Sequence, residues 1–288
     1  MGLFGQLLIR GLITGSLYAL LGVSWGIIYN TTRTFHFAHG FIFALASYMI
    51  LLSVDLSLPL FPSLVVGLIV ATLAGCAIEL FAYLPMRKKN ASQLAIFLTA
   101  MGIMIAGQSI IRLLFGPNSR PLKGFPEIVI NLGAITFTSV DLLTVVTAWV
   151  VMALLFIFLA RTKAGMMIRA VSSNPEKATF IGIDSRKVFI LVFGIGSLLV
   201  AIAAFLTTLD KPATPNIGIK ALLTAFITVF LGGVGSLPGT VIGGLVLGIA
   251  ESLIIMVLPT EYKMIVTFLI LFVVILVKPE GLMGKKTA

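Results

Sequence analysis

Arg161–Lys187 reads RTKAGMMIRAVSSNPEKATFIGIDSRK, the longest clearly polar passage in a chain that is 59% hydrophobic. It carries Arg161, Lys163, Arg169, Lys177, Arg186 and Lys187 against only Glu176 and Asp184. Apolar runs of membrane length end just before it and resume just after it. A basic island in that position is most simply a loop between two spans on the cytoplasmic side. Its interior predicts two short helices broken at Ser172–Pro175. Asn174 can cap a helix whose first position is Pro175, with Glu176 in the first turn, where the helix dipole favours an acid. A mere connector could be a few polar residues, so a folded, capped element of this length suggests a docking surface.

Composition sets the class. The 288 residues are only 10% charged, and the mean hydropathy is +1.16. A soluble chain could not hide that much apolar surface, which points to a single polytopic membrane unit, residues 1–288, with 161–187 as a cytoplasmic loop within it. The net charge of +10 would raise nucleic acid as a partner for a soluble protein. Here the charges cluster between spans, as membrane insertion arranges them, and no nucleic-acid partner is expected. The one cysteine, Cys76, lies inside an apolar run and reads as a small packing residue.

Outward from the loop, the preceding apolar runs are Leu3–Tyr29, Gly40–Ser53, Leu60–Leu84, Ser92–Phe115 and Val140–Ala160. The first is too long for a signal peptide and holds Gly11, Gly15, Ser16, Gly22, Ser24 and Gly26, a face that lets another helix approach closely. His36 and His39 follow a polar break. Two imidazoles three apart could begin a metal site or a proton relay, but no third ligand stands near in sequence. The structural alternative is a helix entry at the membrane interface. The chain breaks there, so His39 and Gly40 stay pathway candidates. In the fourth run Thr99 and Gln108 are neutral polar groups of the kind that face protein or a water-filled path. Glu79 sits near the basic turn Arg87-Lys88-Lys89 and reads either as a coupling carboxylate or as a snorkelled or paired structural acid. Residues 117–139, with Pro117, Pro121 and Pro126, read as an ordered outer loop.

Beyond the loop come Val188–Leu209, a short outer turn, and an unusual region. From Ala221 the chain is apolar for about eleven residues and then reads Gly232-Gly233-Val234-Gly235-Ser236-Leu237-Pro238-Gly239 before continuing to Leu258. Eleven residues at ~1.5 Å each fall short of the ~30 Å hydrocarbon core. Either this is a broken helix whose glycines Gly232, Gly233, Gly235 and Gly239 line a substrate path, or it is a tight turn between a short tilted helix and the next span. Glu251 in the following run suggests a structural acid with a basic or hydroxyl partner. A last run, Tyr262–Val277, leads to a basic tail with Lys278, Lys285 and Lys286. The expected architecture is an all-α polytopic membrane protein with eight or nine transmembrane helices and a glycine-interrupted segment near 221–257. Thirteen basic residues then fall on the side of the 161–187 loop and seven on the other, which places the C-terminus in the cytoplasm.

Four segments together carry a resemblance that runs from about residue 10 to residue 284. They are Phe37-Ala38-His39-Gly40; Arg169-Ala170 with Asn174-Pro175-Glu176-Lys177-Ala178 and Gly182-Ile183; Phe230–Gly239; and Lys278-Pro279-Glu280-Gly281-Leu282. In this order they resemble the permease subunit of branched-chain amino acid ABC importers, a LivH-like pattern. His36 stands where that family usually has Asn. The resemblance implies a multi-pass protein of the bacterial inner membrane, without catalytic residues, metal or cofactor of its own, that couples to two separate cytoplasmic ATPases carrying ATP and Mg. It also implies a second, different permease subunit and an extracytoplasmic solute-binding protein as partners. Arg169, Ala170, Asn174, Pro175, Glu176, Ala178 and Gly182 would then lie at or beside the ATPase contact. The substrate would be a branched-chain amino acid or a related small polar solute. An ion-coupled transporter or facilitator is the competing reading, and it would need an acid cluster within the spans. A membrane-embedded enzyme would need more than two histidines.

Overall fold

The architecture follows from where apolar sequence is long enough to make helix and where glycine, proline or charge interrupts it. The computed structural model describes residues 2–122, 128–133, 135–259 and 262–284. The expectations for Lys123, Pro126, Lys285 and Lys286 lie outside them. In chain order the helices are α1 (Gly2–Thr32), α2 (His39–Asp55), α3 (Leu60–Ile78), a π-helical turn (Glu79–Tyr83), α4 (Leu84–Lys88), α5 (Gln93–Phe115), α6 (Ser139–Arg161), α7 (Lys163–Ser173), α8 (Pro175–Phe180), α9 (Ser185–Asp210), α10 (Ile217–Gly232), α11 (Leu237–Leu253) and α12 (Lys263–Val277). Among the described residues six helical stretches are long and apolar enough to cross a membrane, and three shorter apolar helices accompany them.

Two features depart from the sequence reading. Within the 117–139 loop, β1 (Val129–Leu132) and β2 (Ile135–Thr138) pair antiparallel as a hairpin, with Val129 opposite Thr138. Alternation was hard to see there because the strands are only four residues long. The second departure is α10, which begins at Ile217 rather than Ala221, so it has 16 residues. Lys220 looked like loop, yet it sits in the helix's first turn.

The chain divides into two compact units. The first comprises residues 1–26, 125–150 and 223–288. Its centre is a seam of small residues. A Cβ on Gly11 would lie 2.8 Å from the Ile249 Cα, and one on Gly15 2.9 Å from the Leu245 Cα, while Gly244 and Gly248 face the backbones of Ala19 and Gly15. Glycines at i, i+4 on each helix let α1 and α11 touch backbone to backbone. The small-residue face expected on α1 thus has its partner. Tyr18 donates to Glu251 Oε2 at 2.7 Å, and Thr267 of α12 donates to Oε1. The Gln6 amide pairs with both backbone groups of Thr136, each at 2.7 Å, which ties α1 to β2.

The second unit comprises residues 27–124 and 151–222. Helices α2, α3 and α9 form its body, where Gly75 admits Ser197 and Gly194 admits Cys76. Polar groups gather at two ends. At one, Thr31 meets Ser172 at 2.9 Å and Arg87 donates to Thr34 at 3.0 Å. At the other, Arg112 donates to Asn216 at 2.9 Å, and Arg120 pairs with Asp55 at 3.6 Å and bridges through its backbone to Ala213. Between α1 and α2 the chain is not helical over residues 33–36. Phe35 and Phe37 pack against Phe97, and Phe41 fills the space left at Gly107, ten residues further along α5. Ten residues of helix rise ~15 Å, so α2 starts well along α5 rather than level with its first turn.

Candidate coupling surface and pathway residues

The 161–187 segment folds into α7 and α8, with the break where the sequence placed it. Thr162 caps α7 by accepting the Gly165 N–H at 2.9 Å, and Gly165 has no room for a side chain against the Leu159 backbone. The inward face of α7 is Gly165, Ile168 and Val171, spaced by three, while Arg169 is exposed and Ala170 half-buried. The Asn174 side chain accepts the Lys177 N–H at 2.9 Å, with Pro175 and Glu176 exposed in the first turn of α8. The helix ends at Phe180, and Gly182, two residues on, has a φ of +87°, a left-handed conformation that favours glycine. Ala178 faces inward, at 2% exposure.

The surface of this element was not foreseen. Phe180 is 88% exposed and Ile181 74%, and Met166 and Met167 are also exposed on α7. Hydropathy alone assigns such residues to a core. Gly182 was the local signal that the chain turns after Phe180 and Ile181, but it does not say which way their side chains face.

The two histidines are fully enclosed. The His36 Nδ1 lies 3.0 Å from the Tyr83 hydroxyl, and its ring stands edge-on to Phe193 and to His39. The π-helical turn explains Tyr83. With more than four residues per turn, Glu79 and Tyr83 fall on one face and both are buried. Glu79 is bonded by Arg87, whose guanidinium also lies 4.8 Å over the Phe189 ring. Among the described residues no three of His, Cys, Asp and Glu gather as a metal site.

Of the pathway candidates, His39, Gly40 and Gln108 fall along one seam. Gly40 approaches the Gly218 carbonyl so closely that a Cβ would sit 2.8 Å away. Phe41, next in the chain, packs on Gly107, next to Gln108. Gln108 is buried, and its Nε2 has no hydrogen-bond partner among the described residues. Thr99 lies over two turns away on α5 and donates to the Ala95 carbonyl at 2.9 Å. The glycines of 232–239 belong to the other unit. There Gly233 (φ +108°) and Gly235 (φ +91°) make a turn, Ser236 caps α11 by accepting the Gly239 N–H at 3.1 Å, and the tail after α12 donates from Leu282 and Met283 to the carbonyls of Leu231 and Gly232, each at 2.9 Å.

Known proteins supply an independent line. The chain is 33% identical to the high-affinity branched-chain amino acid transport system permease protein LivH of Salmonella typhimurium, over 98% of this chain and 96% of that one. It is 31% identical to BraD, named likewise, of Pseudomonas aeruginosa, over 97% and 95%. A probable LivH of Methanocaldococcus jannaschii matches at 28% over 95% and 90%. Among solved structures, a chain of PsaBC from Streptococcus pneumoniae in complex with Fab matches over 97% of this chain and 91% of its own, with 13% identity and a TM-score of 0.49. The family model of the branched-chain amino acid transport system permease component matches residues 7–275, and the chain belongs to that family.

Proposed function

We propose that this chain is one half of the translocation pathway of an ATP-driven importer for branched-chain amino acids, and that residues 161–187 dock a separate cytoplasmic ATPase. The observation that carries the docking role is the exposure of Phe180 and Ile181 on a capped element too short to span a membrane. Large apolar side chains held out by a rigid scaffold suit a protein partner. Charged neighbours Glu176, Lys177, Asp184, Arg186 and Lys187 argue against lipid there.

In this reading ATP and Mg are held by two ATPase chains, and their closure moves α7 and α8. The Thr31–Ser172 contact passes that motion to the end of α1 and to the non-helical segment 33–36 beyond it. The close approach of Gly40 to the Gly218 backbone and the burial of His39 and Gln108 support a pathway beside these residues. A solute-binding protein would deliver substrate at the face bearing Arg112, Arg120 and Asn216, with the C-terminus on the opposite, cytoplasmic side of the inner membrane. A different permease chain supplies the other half. Local partners on Glu79 and Glu251 leave neither as a free coupling carboxylate, which disfavours an ion-driven mechanism.

The test is Phe180→Glu with Ile181→Glu in the reconstituted complex. ATP-driven leucine uptake is expected to fall by at least about tenfold, the equivalent of ~1.4 kcal/mol of lost docking, with the permease still folded. Undiminished uptake would overturn the docking assignment.

A further inference from the structure

A cleft of about 370 Å³ opens in the second unit where the ends of α1 and α4 meet the start of α5. It is lined by Arg33, Arg87, Asn90, Gln93, Phe35 and Ile96, together with Thr32, Thr34 and Ala91, and no acid is among them. We propose that this cleft binds the phosphodiester headgroup of an anionic membrane lipid.

The walls divide by chemistry. Arg87 forms a fixed donor, because Glu79, the Thr34 hydroxyl at 3.0 Å and the Phe189 ring hold its guanidinium in one place. Glu79 balances its charge from behind, so the net attraction comes from Arg33, which is exposed and of which no ion pair is found among the described residues. The 23-residue α5 adds the positive end of its dipole, with Gln93 as its first residue. Asn90 and Gln93 supply neutral donors at the rim. Among the lining residues Phe35 is half-buried and Ile96 buried, and both are apolar, which suits the glycerol and first acyl carbons of a lipid better than a fully hydrated anion. A basic cleft between spans at a membrane surface is where anionic headgroups accumulate. The shared chemistry is a phosphate-bearing anion. A lipid is the source these walls favour, and free phosphate is the other.

The test uses the full complex in detergent, with dioctanoyl phosphatidylglycerol as probe and dioctanoyl phosphatidylcholine and inorganic phosphate as comparisons. Native mass spectrometry counts retained lipid, and titration gives the Kd. The wild type should bind phosphatidylglycerol and not phosphatidylcholine. Arg33→Gln should weaken that binding about fivefold, the effect of one basic group at a membrane surface. Ala91→Glu, which places an acid on the wall, should weaken it further, and Arg33→Lys should retain it. Equal phosphatidylglycerol binding in wild type, R33Q and A91E would overturn the site. Inorganic phosphate that displaces phosphatidylglycerol at a similar Kd would overturn the lipid source. Ala91 lies outside the docking surface, the coupling segment 33–36 and the pathway, so failure of the A91E comparison leaves the transport reading standing, and the reverse.

Discussion

Glu79 and Glu251 are both shut away from solvent within apolar helices, yet each unit meets its acid differently. Glu79 has no side-chain exposure and is met by Arg87, itself only 20% exposed. A cation is within reach because α3 runs through the π-helical turn into a basic end. Glu251 lies in an apolar stretch, and two hydroxyls, from Tyr18 and Thr267, meet its carboxylate. The first arrangement couples two charges that depend on each other. The second ties α1, α11 and α12 with hydrogen bonds of which each can be lost alone. Buried ion pairs are costly to break from one side, because the survivor is left uncompensated.

Substitutions can break this contrast in order of size. Glu79→Gln strands Arg87 and is expected to destabilise the protein by on the order of 3–5 kcal/mol, while Glu79→Gln with Arg87→Met recovers most of that loss. Thermal unfolding in detergent, run on the two variants side by side, decides it: if the double variant is no more stable than the single one, the pair is not the unit described. Glu251→Gln keeps one good acceptor for two hydroxyls and should cost about 1–3 kcal/mol by the same assay. A loss equal to that of E79Q would erase the distinction between the units. Tyr18→Phe removes one donor and leaves Thr267, so about 1 kcal/mol is expected. If Y18F proves as damaging as E251Q, the hydroxyls act as one network rather than as separable bonds.

Much of this was legible in sequence. The runs bounded by charge or glycine became helices within a few residues of their expected ends. The cap at Asn174 and the break before Pro175 lie where local rules put them, because capping depends on neighbours in the chain. Glu79 was readable as a paired acid from its distance to the basic turn, and Glu251 as one seeking a basic or hydroxyl partner. What the sequence hid depends on contacts between distant segments. Nothing near Glu251 names Tyr18, and nothing in Phe180-Ile181 says that these residues face outward. The packing of Phe37 on Phe97 and of Phe41 at Gly107 joins the start of α2 to α5, a contact that local propensity cannot register. Of the candidate site, the α7–α8 element was readable by its polarity, whereas the side chains that make its outer surface were not.

The glycine seam between α1 and α11 has a consequence for how the protein is made. Tyr18 and Glu251, which close that seam, are 233 residues apart. At about 5–20 residues per second, a ribosome needs roughly 10–50 s to travel between them. During that interval α1 is already in the bilayer while its partner does not yet exist, and Gly11, Gly15 and Tyr18 must face lipid or the insertion machinery. α1 is therefore made long before the contact that locks it. A chain stalled before α11 would display a notched, sticky helix that quality-control proteases can recognise as unfinished.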